Sequence, residues 1–227
     1  MNVAIIAAAG QGTRIGGERA KQFLELAGIP IVIRTLRPFE QCSDIHEIIV
    51  VLPPQQSAGF LELASKQGLR KLSRVVAGGS SRAESVQRGL QAVRGATAEI
   101  VAVHDGVRPF VTPDEISRTI AAAREHGAAV LVANVTDTIK LVQDDTVVET
   151  LDRRVLRRAL TPQCFQFSLL RRAFEGVDVS DPELTDESVL VEKLGVAVKA
   201  VSGSNRNIKI TTREDLLIAE GLLKAAD

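Results

Sequence analysis

Four glycines, two arginines and a lysine gather near the start of the chain, in the stretch VAIIAAAGQGTRIGGERAK that runs from Val3 to Lys21. The run Val3-Ala4-Ile5-Ile6 reads as a strand buried on both faces. It shrinks to Ala7-Ala8-Ala9 and then breaks into Gly10, Gly12, Gly16 and Gly17. Small residues leave room for a large ligand against the backbone, and glycine's tolerance of positive φ lets successive N–H groups turn inward around an anion. Arg14 and Lys21 bring two cations to the same loop. The pattern points to a nucleoside triphosphate site in which these two side chains carry the chemistry. Two other phosphate loops do not fit: Gly10-x-Gly12-x-x-x-Gly16 is one residue too long for the dinucleotide fingerprint, and no Gly-Lys-Ser/Thr of the Walker type occurs near the loop. From glycine content alone, a flexible turn with scattered charges remains the alternative.

The elements that must position this loop follow from hydrophobic runs and their punctuation. Gln22 to Leu26 reads as a short extended piece with a turn at Gly28, and Pro30 opens a helix over 31–41 with Val32, Ile33, Leu36 and Phe39 inward. Glu47–Leu52 is a second buried strand closed by Pro53-Pro54, with a helix after it to about Gln67. Arg74–Ala77 is a third strand, ended by Gly78-Gly79-Ser80-Ser81, and a helix runs from there to about Arg94. Ile100–His104 is a strand ending at Asp105; Thr112-Pro113-Asp114-Glu115 starts a helix that stops near Gly127; Ala128–Val135 is another strand. Such alternation predicts an α/β fold, a Rossmann-like doubly wound, mainly parallel sheet. Ligands bind beyond the carboxyl ends of such strands, where the glycine loop, Gly78–Arg82 and Asp105 all fall.

The alternation then breaks. Thr138–Val142 and Thr146–Leu151 read as two strands joined at Gln143-Asp144-Asp145 with no helix between them. This hairpin has little core of its own and two free edges, so it packs on a second copy of the chain or lies as a flap over the site. Leu160–Phe167 returns to the sheet, Thr185–Ser188 begins a helix ending at Gly195, Val196–Val201 and Asn207–Ile210 read as strands, and Thr211–Asp215 caps a last helix.

With 227 residues, 45% hydrophobic and 25% charged, the composition is that of an ordinary globular protein. Formal net charge is zero and there is no Trp or Tyr, which speaks against nucleic-acid binding by a global field or by aromatic stacking. Cys42, Cys164, His46, His104 and His126 match no zinc spacing. Two cysteines, no signal-peptide pattern and no apolar run of membrane length predict a cytoplasmic protein with free thiols and no membrane partner.

The blocks AAAGQGTRIG…KQFLELAGIPI, GGSSRAESVQRGL, VHDGVRPF, TDTIK, LDRRVLRRALTPQCF, LTDESVLVEKLG and NIKITTREDL occur in this order over nearly the whole chain. Together they resemble the 2-C-methyl-D-erythritol 4-phosphate cytidylyltransferases, which join CTP to a polyol phosphate. The resemblance implies one nucleotidyltransferase domain over 1–227, with an arm at 136–155 inserted in it, and a homodimer through that arm. It implies Arg14 and Lys21 as catalytic cations and Asp105 as the ligand of a Mg²⁺ cofactor; capping of the next turn is the alternative for Asp105. Ala8, Ala9, Gly10, Gly12, Thr13, Gly79, Ser85 and Gly106 fall to the nucleotide, with Gly106 leaving space for ribose or phosphates. Arg153, Lys209, Thr138, Thr161, Arg108 and Thr185 fall to the polyol phosphate, Arg153 and Thr138 in the neighbour's site. His104 is assigned to structure, and Arg82 either holds its loop or touches nucleotide.

Two positions depart from the family pattern. Ala20 stands where a proline is usual, which implies a looser loop, and Ser80 stands where some members carry aspartate. The alternatives are a cytidylyltransferase of ribitol 5-phosphate or a related polyol phosphate, and a non-catalytic nucleotide-binding protein on the same fold. A dinucleotide-dependent oxidoreductase is disfavoured by the glycine spacing.

Overall fold

The structure is a computed structural model that describes residues 1–10, 20–94, 97–181, 184 and 186–225. Strand β1 (Asn2–Ala7) leads, across the glycine loop, to a 3₁₀ turn at Lys21–Phe23 and a small hairpin of β2 (Glu25–Leu26) and β3 (Ile29–Pro30). Helix α1 (Ile31–Gln41), β4 (Glu47–Leu52), α2 (Phe60–Lys66), β5 (Leu72–Ala77), α3 (Arg82–Ala92) and β6 (Ile100–Asp105) follow in strict alternation. Then come α4 (Pro113–His126), β7 (Ala128–Asn134), the arm strands β8 (Ile139–Gln143) and β9 (Thr146–Leu151), β10 (Arg157–Gln166) and α5 (Phe167–Ala173). The chain closes with α6 (Glu187–Lys193), β11 (Lys199–Ser202) and α7 (Arg213–Lys224).

Seven strands form one sheet in the order β11-β7-β10-β6-β1-β4-β5. All neighbours are parallel except β10, which runs antiparallel to both β6 and β7. The expected mainly parallel, doubly wound sheet is therefore present. Its central strands β1, β4 and β6 are buried along their lengths, as near-continuous apolar runs require when helices cover both faces. One core layer packs β1, β4 and β6 against α1, α2 and α4, and the other packs the opposite faces against α3, α5 and α6.

Local chemistry sets the boundaries. Thr112 makes a full capping box with Glu115, and Pro113 occupies the first turn of α4. After Pro53-Pro54 the chain makes a 3₁₀ turn at Pro54–Gln56, and Gly59 at φ 76° sets up α2, so that helix is shorter than its sequence reads. The expected strand at Asn207–Ile210 is absent. That segment is fixed instead by side chains, with the Asn207 carbonyl accepting from Arg108 at 2.9 Å and a single backbone bond from Ile210 to Val107.

The arm is a separate two-stranded ribbon. Asp144 and Asp145 take φ of 45° and 59° at its tip, the left-handed pair that a two-residue hairpin turn needs and that aspartate tolerates better than most side chains. Val142, Val147 and Val148 are each at least half exposed, so the ribbon carries apolar surface that its own fold does not cover.

Candidate active site

Three backbone bonds carry the parallel ladder just past the strand ends: Ala8 N–H to the Val51 carbonyl at 2.9 Å, Gly106 N–H to Ala7 at 2.8 Å and Gly78 N–H to Leu52 at 2.8 Å. The loops after β1, β5 and β6 consequently leave the sheet at one level. They enclose a cavity of about 650 Å³. Its walls bring together Ala8, Ala9, Gly10, Lys21, Gly79, Ser85, Asp105 and Lys209, which the sequence places far apart. Gly106, Arg108 and Thr161 stand behind Asp105 as its supports. Thr138 and Arg153 lie exposed on and beside the arm, with Arg153 donating to the Thr136 carbonyl. Gly12, Thr13, Arg14 and Thr185 lie outside the described residues.

Asp105 is the hub. It is buried at the end of β6, and its Oδ1 accepts from Arg82 Nε at 3.1 Å. Its Oδ2 meets Arg108 Nε and Lys209 Nζ, each at 3.1 Å. Burial alone would raise the carboxyl pKa, but the three cations outweigh it and hold the group ionised well below the usual carboxylate range. The three cations share this anion as their common counter-ion.

Behind the hub lies a closed polar ring. The Asp105 backbone N–H donates to Thr161 Oγ1 at 3.2 Å, so the Thr161 hydroxyl proton is free to go to His104 Nδ1 at 2.9 Å. That leaves Nδ1 as the acceptor and Nε2–H as the donor, and Nε2 lies 3.0 Å from the Arg108 carbonyl. Asn207 Nδ2 donates to the Thr161 carbonyl at 2.9 Å, and Arg108 Nη1 returns to the Asn207 carbonyl at 2.9 Å. His104 therefore has both nitrogens committed to the frame, and burial lowers its pKa to about 4.

The Gly78-Gly79 side of the cavity is equally braced. Ser85 Oγ accepts from the Gly79 N–H at 3.1 Å and donates to the Ser81 carbonyl at 2.9 Å, so it holds the Gly78-Gly79 turn in place. Glu84 accepts from Ser80 N–H and Oγ at 2.6 and 2.8 Å, an anchor that belongs to the Ser80 departure noted in the sequence. A Cβ at Gly106 would lie 2.5 Å from Ala8 Cβ. The close approach of the ends of β6 and β1 is thus by itself enough to require glycine at 106. Ala20 takes φ −61° and ψ 137°, the conformation proline would enforce, so the alanine leaves the backbone path unchanged and acts through the entropy of the unfolded chain. Asp186 caps α6 by accepting from Val189 N–H at 3.3 Å.

The sequence did not single out Gln22, Glu187 or Asn207. Gln22 is buried and donates from Nε2 to the Ala8 carbonyl at 2.7 Å, tying the lysine-bearing turn to the end of β1. Its place beside Lys21 in the KQF block was the available signal. Glu187 and Asn207 gave none, since each acts on a partner about 100 residues distant in the chain.

The matching family model spans residues 2–225 and describes 2-C-methyl-D-erythritol 4-phosphate cytidylyltransferase. The chain belongs to this family. A relative of the same description from Bacillus cytotoxicus is 44% identical over 223 residues, covering 98% of each chain. One from Geobacter metallireducens is 42% identical over 224 residues, covering 97% of each. Among solved structures, a 4-diphosphocytidyl-2C-methyl-D-erythritol synthase from Anaerococcus prevotii superposes with TM-score 0.86 at 32% identity, covering 98% of this chain and 96% of that one. The Thermus thermophilus cytidylyltransferase gives 0.79 at 34% identity, covering 98% of both.

Because His104 is neutral when folded and protonates near 6.5 when unfolded, its contribution is constant above pH 6.5 and is lost progressively as pH falls toward about 4. Between pH 6.5 and 5.5 the wild type should lose about 1 kcal/mol more unfolding free energy than His104→Gln. Urea unfolding of both proteins at the two pH values checks this; equal losses would contradict the buried neutral assignment.

Proposed function

We propose that the protein transfers CMP from CTP to 2-C-methyl-D-erythritol 4-phosphate, releasing pyrophosphate and giving 4-diphosphocytidyl-2-C-methyl-D-erythritol, a step of non-mevalonate isoprenoid synthesis. The observation that carries this reading is the Asp105 cluster, with Lys209 at the wall of the same cavity that Lys21 and the Ala8–Gly10 loop line. The full-length family match supports it.

A phosphate oxygen of the polyol phosphate forms a bond to the α-phosphorus, and the bond from that phosphorus to the bridging oxygen of pyrophosphate breaks. The nucleophile is already anionic, so no proton needs to move and no general base is required. The chain must instead hold two anions together and stabilise the charge that builds on the α-phosphate and the leaving group. Lys21, with Arg14 from the same loop, is assigned to that charge. The backbone of Ala8, Ala9 and Gly10 and the Gly79 turn braced by Ser85 receive the nucleotide. Cytosine differs from uracil by its 4-amino donor, which backbone carbonyls of these turns would accept. Lys209 takes the polyol phosphate, with Arg108 and Thr161 holding it in register through Asp105 and Asn207.

Mg²⁺ fits the donor set at Asp105. The carboxylate stays ionised and, among the described residues, Oδ1 accepts one N–H, from Arg82, so a lone pair remains. Among the described residues no cluster of three or more His, Cys, Asp or Glu could hold a metal, so the rest of its shell would come from phosphates and water. When bound, the ion would neutralise triphosphate charge.

The exposed valines of the arm support a homodimer in which each arm covers its neighbour, with Arg153 and Thr138 serving the partner's site. The absence, among the described residues, of any helix long and apolar enough to cross a membrane is compatible with work in the cytoplasm on two small substrates.

The direct test is pyrophosphate release with Mg²⁺ and each nucleoside triphosphate, adding either polyol phosphate. Release only with CTP and 2-C-methyl-D-erythritol 4-phosphate is expected, and Lys21→Ala should cut turnover by about 10²–10³-fold. Release only with ribitol 5-phosphate would move the substrate, and no release from folded protein would reject the reading.

The trans arrangement has its own test. Lys21→Ala and Arg153→Ala, each weak alone, should regain roughly a quarter of wild-type turnover after subunit exchange, because mixed dimers then hold one intact site. No recovery once exchange is verified would place Arg153 in its own subunit's site.

A further inference from the structure

Glu187 is a buried carboxylate beside the site to which the reaction described above gives no part. It is the first residue of α6 and is 1% exposed. Its Oε1 accepts from Arg82 Nη1 at 2.6 Å, while Oε2 is buried with no hydrogen-bond partner. Burial pushes its pKa up, against the pull of Arg82. A buried acid with half its acceptors unsatisfied contributes little by its own burial, while removing its charge leaves Arg82 with one counter-ion fewer. What the position provides is geometric. Arg82, the first residue of α3, uses Nη1 for Glu187 and Nε for Asp105, so two carboxylates from different elements grip one guanidinium along adjacent donors. A planar group held at two points cannot rotate about its long axis. Released from Glu187, it would be free to turn into the cavity that it lines, toward any anion bound there.

We propose that Glu187 is a positioning residue for nucleotidyl transfer: it locks Arg82 so that Asp105 keeps the orientation in which it also carries Arg108 and Lys209. This rests on the functional reading given above. Losing the lock disorders the hub while adding a mobile cation to a cavity for anions. Turnover should therefore fall without loss of nucleotide affinity, and the midpoint should fall only modestly, because Arg82 keeps Asp105 as a counter-ion.

The test compares wild type, Glu187→Gln, Arg82→Lys and the double variant for turnover, KM for CTP and thermal midpoint, together with the Arg82 Nε–H signal in ¹H–¹⁵N spectra. Glu187→Gln should lower kcat about 10–100-fold, leave the KM for CTP equal or lower and leave the protein folded at the assay temperature with at most a modestly lower midpoint. It should also broaden or lose a signal that is sharp and slowly exchanging in the wild type. The double variant should be no slower than the slower single one, because both act through one contact. A kcat within twofold of wild type, an unchanged Nε–H signal, or losses that multiply in the double variant would each overturn the proposal. If wild type itself releases no pyrophosphate, the functional reading fails, and the Nε–H signal alone decides whether Glu187 locks Arg82.

Discussion

One carboxylate between three cations is the constraint on which this site depends. Arg82 begins a helix after β5, Arg108 follows β6 in the chain, and Lys209 comes from the segment ahead of the last helix. Asp105 is the one carboxylate that all three share, and like charges in a poorly solvated site repel strongly without such a counter-ion. The arrangement suits a reaction between two anions. The protein pre-assembles positive charge around a shared internal counter-ion, so incoming phosphates meet a field already in place and little reorganisation is left for the reacting complex.

The hub is precise because its neighbours are fixed for reasons unrelated to charge. The ladder bonds beyond β1, β5 and β6 set the level at which the loops leave the sheet. Ala8 and Gly106 approach so closely that neither side could carry a larger group without moving. The His104–Thr161–Asn207–Arg108 ring spends nearly all its donors on its own members, and in doing so ties β6, β10 and the Lys209 segment into one unit. A histidine next to a buried aspartate at a cavity wall invites an acid–base role. The hydrogen-bond directions here assign it a structural one, consistent with a reaction that moves no proton.

Much of this was legible in the chain. Glu47–Leu52 reads as a strand because its apolar run is continuous and closed by prolines, and Thr112-Pro113 announces α4 with a cap and an N-terminal proline. The hairpin tip at Asp144-Asp145 was visible as a polar break between two β-rich runs. Convergence of the glycine loop, the Gly78 turn and Asp105 followed from strand polarity alone. What was not legible was settled by side chains reaching across the fold. Ile208 and Ile210 alternate like a strand, yet the Asn207 carbonyl is taken by an arginine guanidinium, so no ladder forms. Gly106 was read as space for a ligand, and the packing of Ala8 is a second reason for glycine that the sequence did not show. Glu187 looked like an ordinary first-turn acid, and only its contact with Arg82 ties it to the site.

The measurement that tests the hub most directly is to place Asp105→Asn beside wild type and record thermal unfolding and CTP-dependent pyrophosphate release on the same samples. If Asp105 is the counter-ion that assembles the cluster, the variant leaves partly buried cations facing one another. Its midpoint should fall by roughly 5–10 °C, and its turnover should drop by at least about 10²-fold. A variant that melts with wild type and turns over within a few-fold of it would mean that the cations are held by other contacts, and the central role given to Asp105 would be wrong.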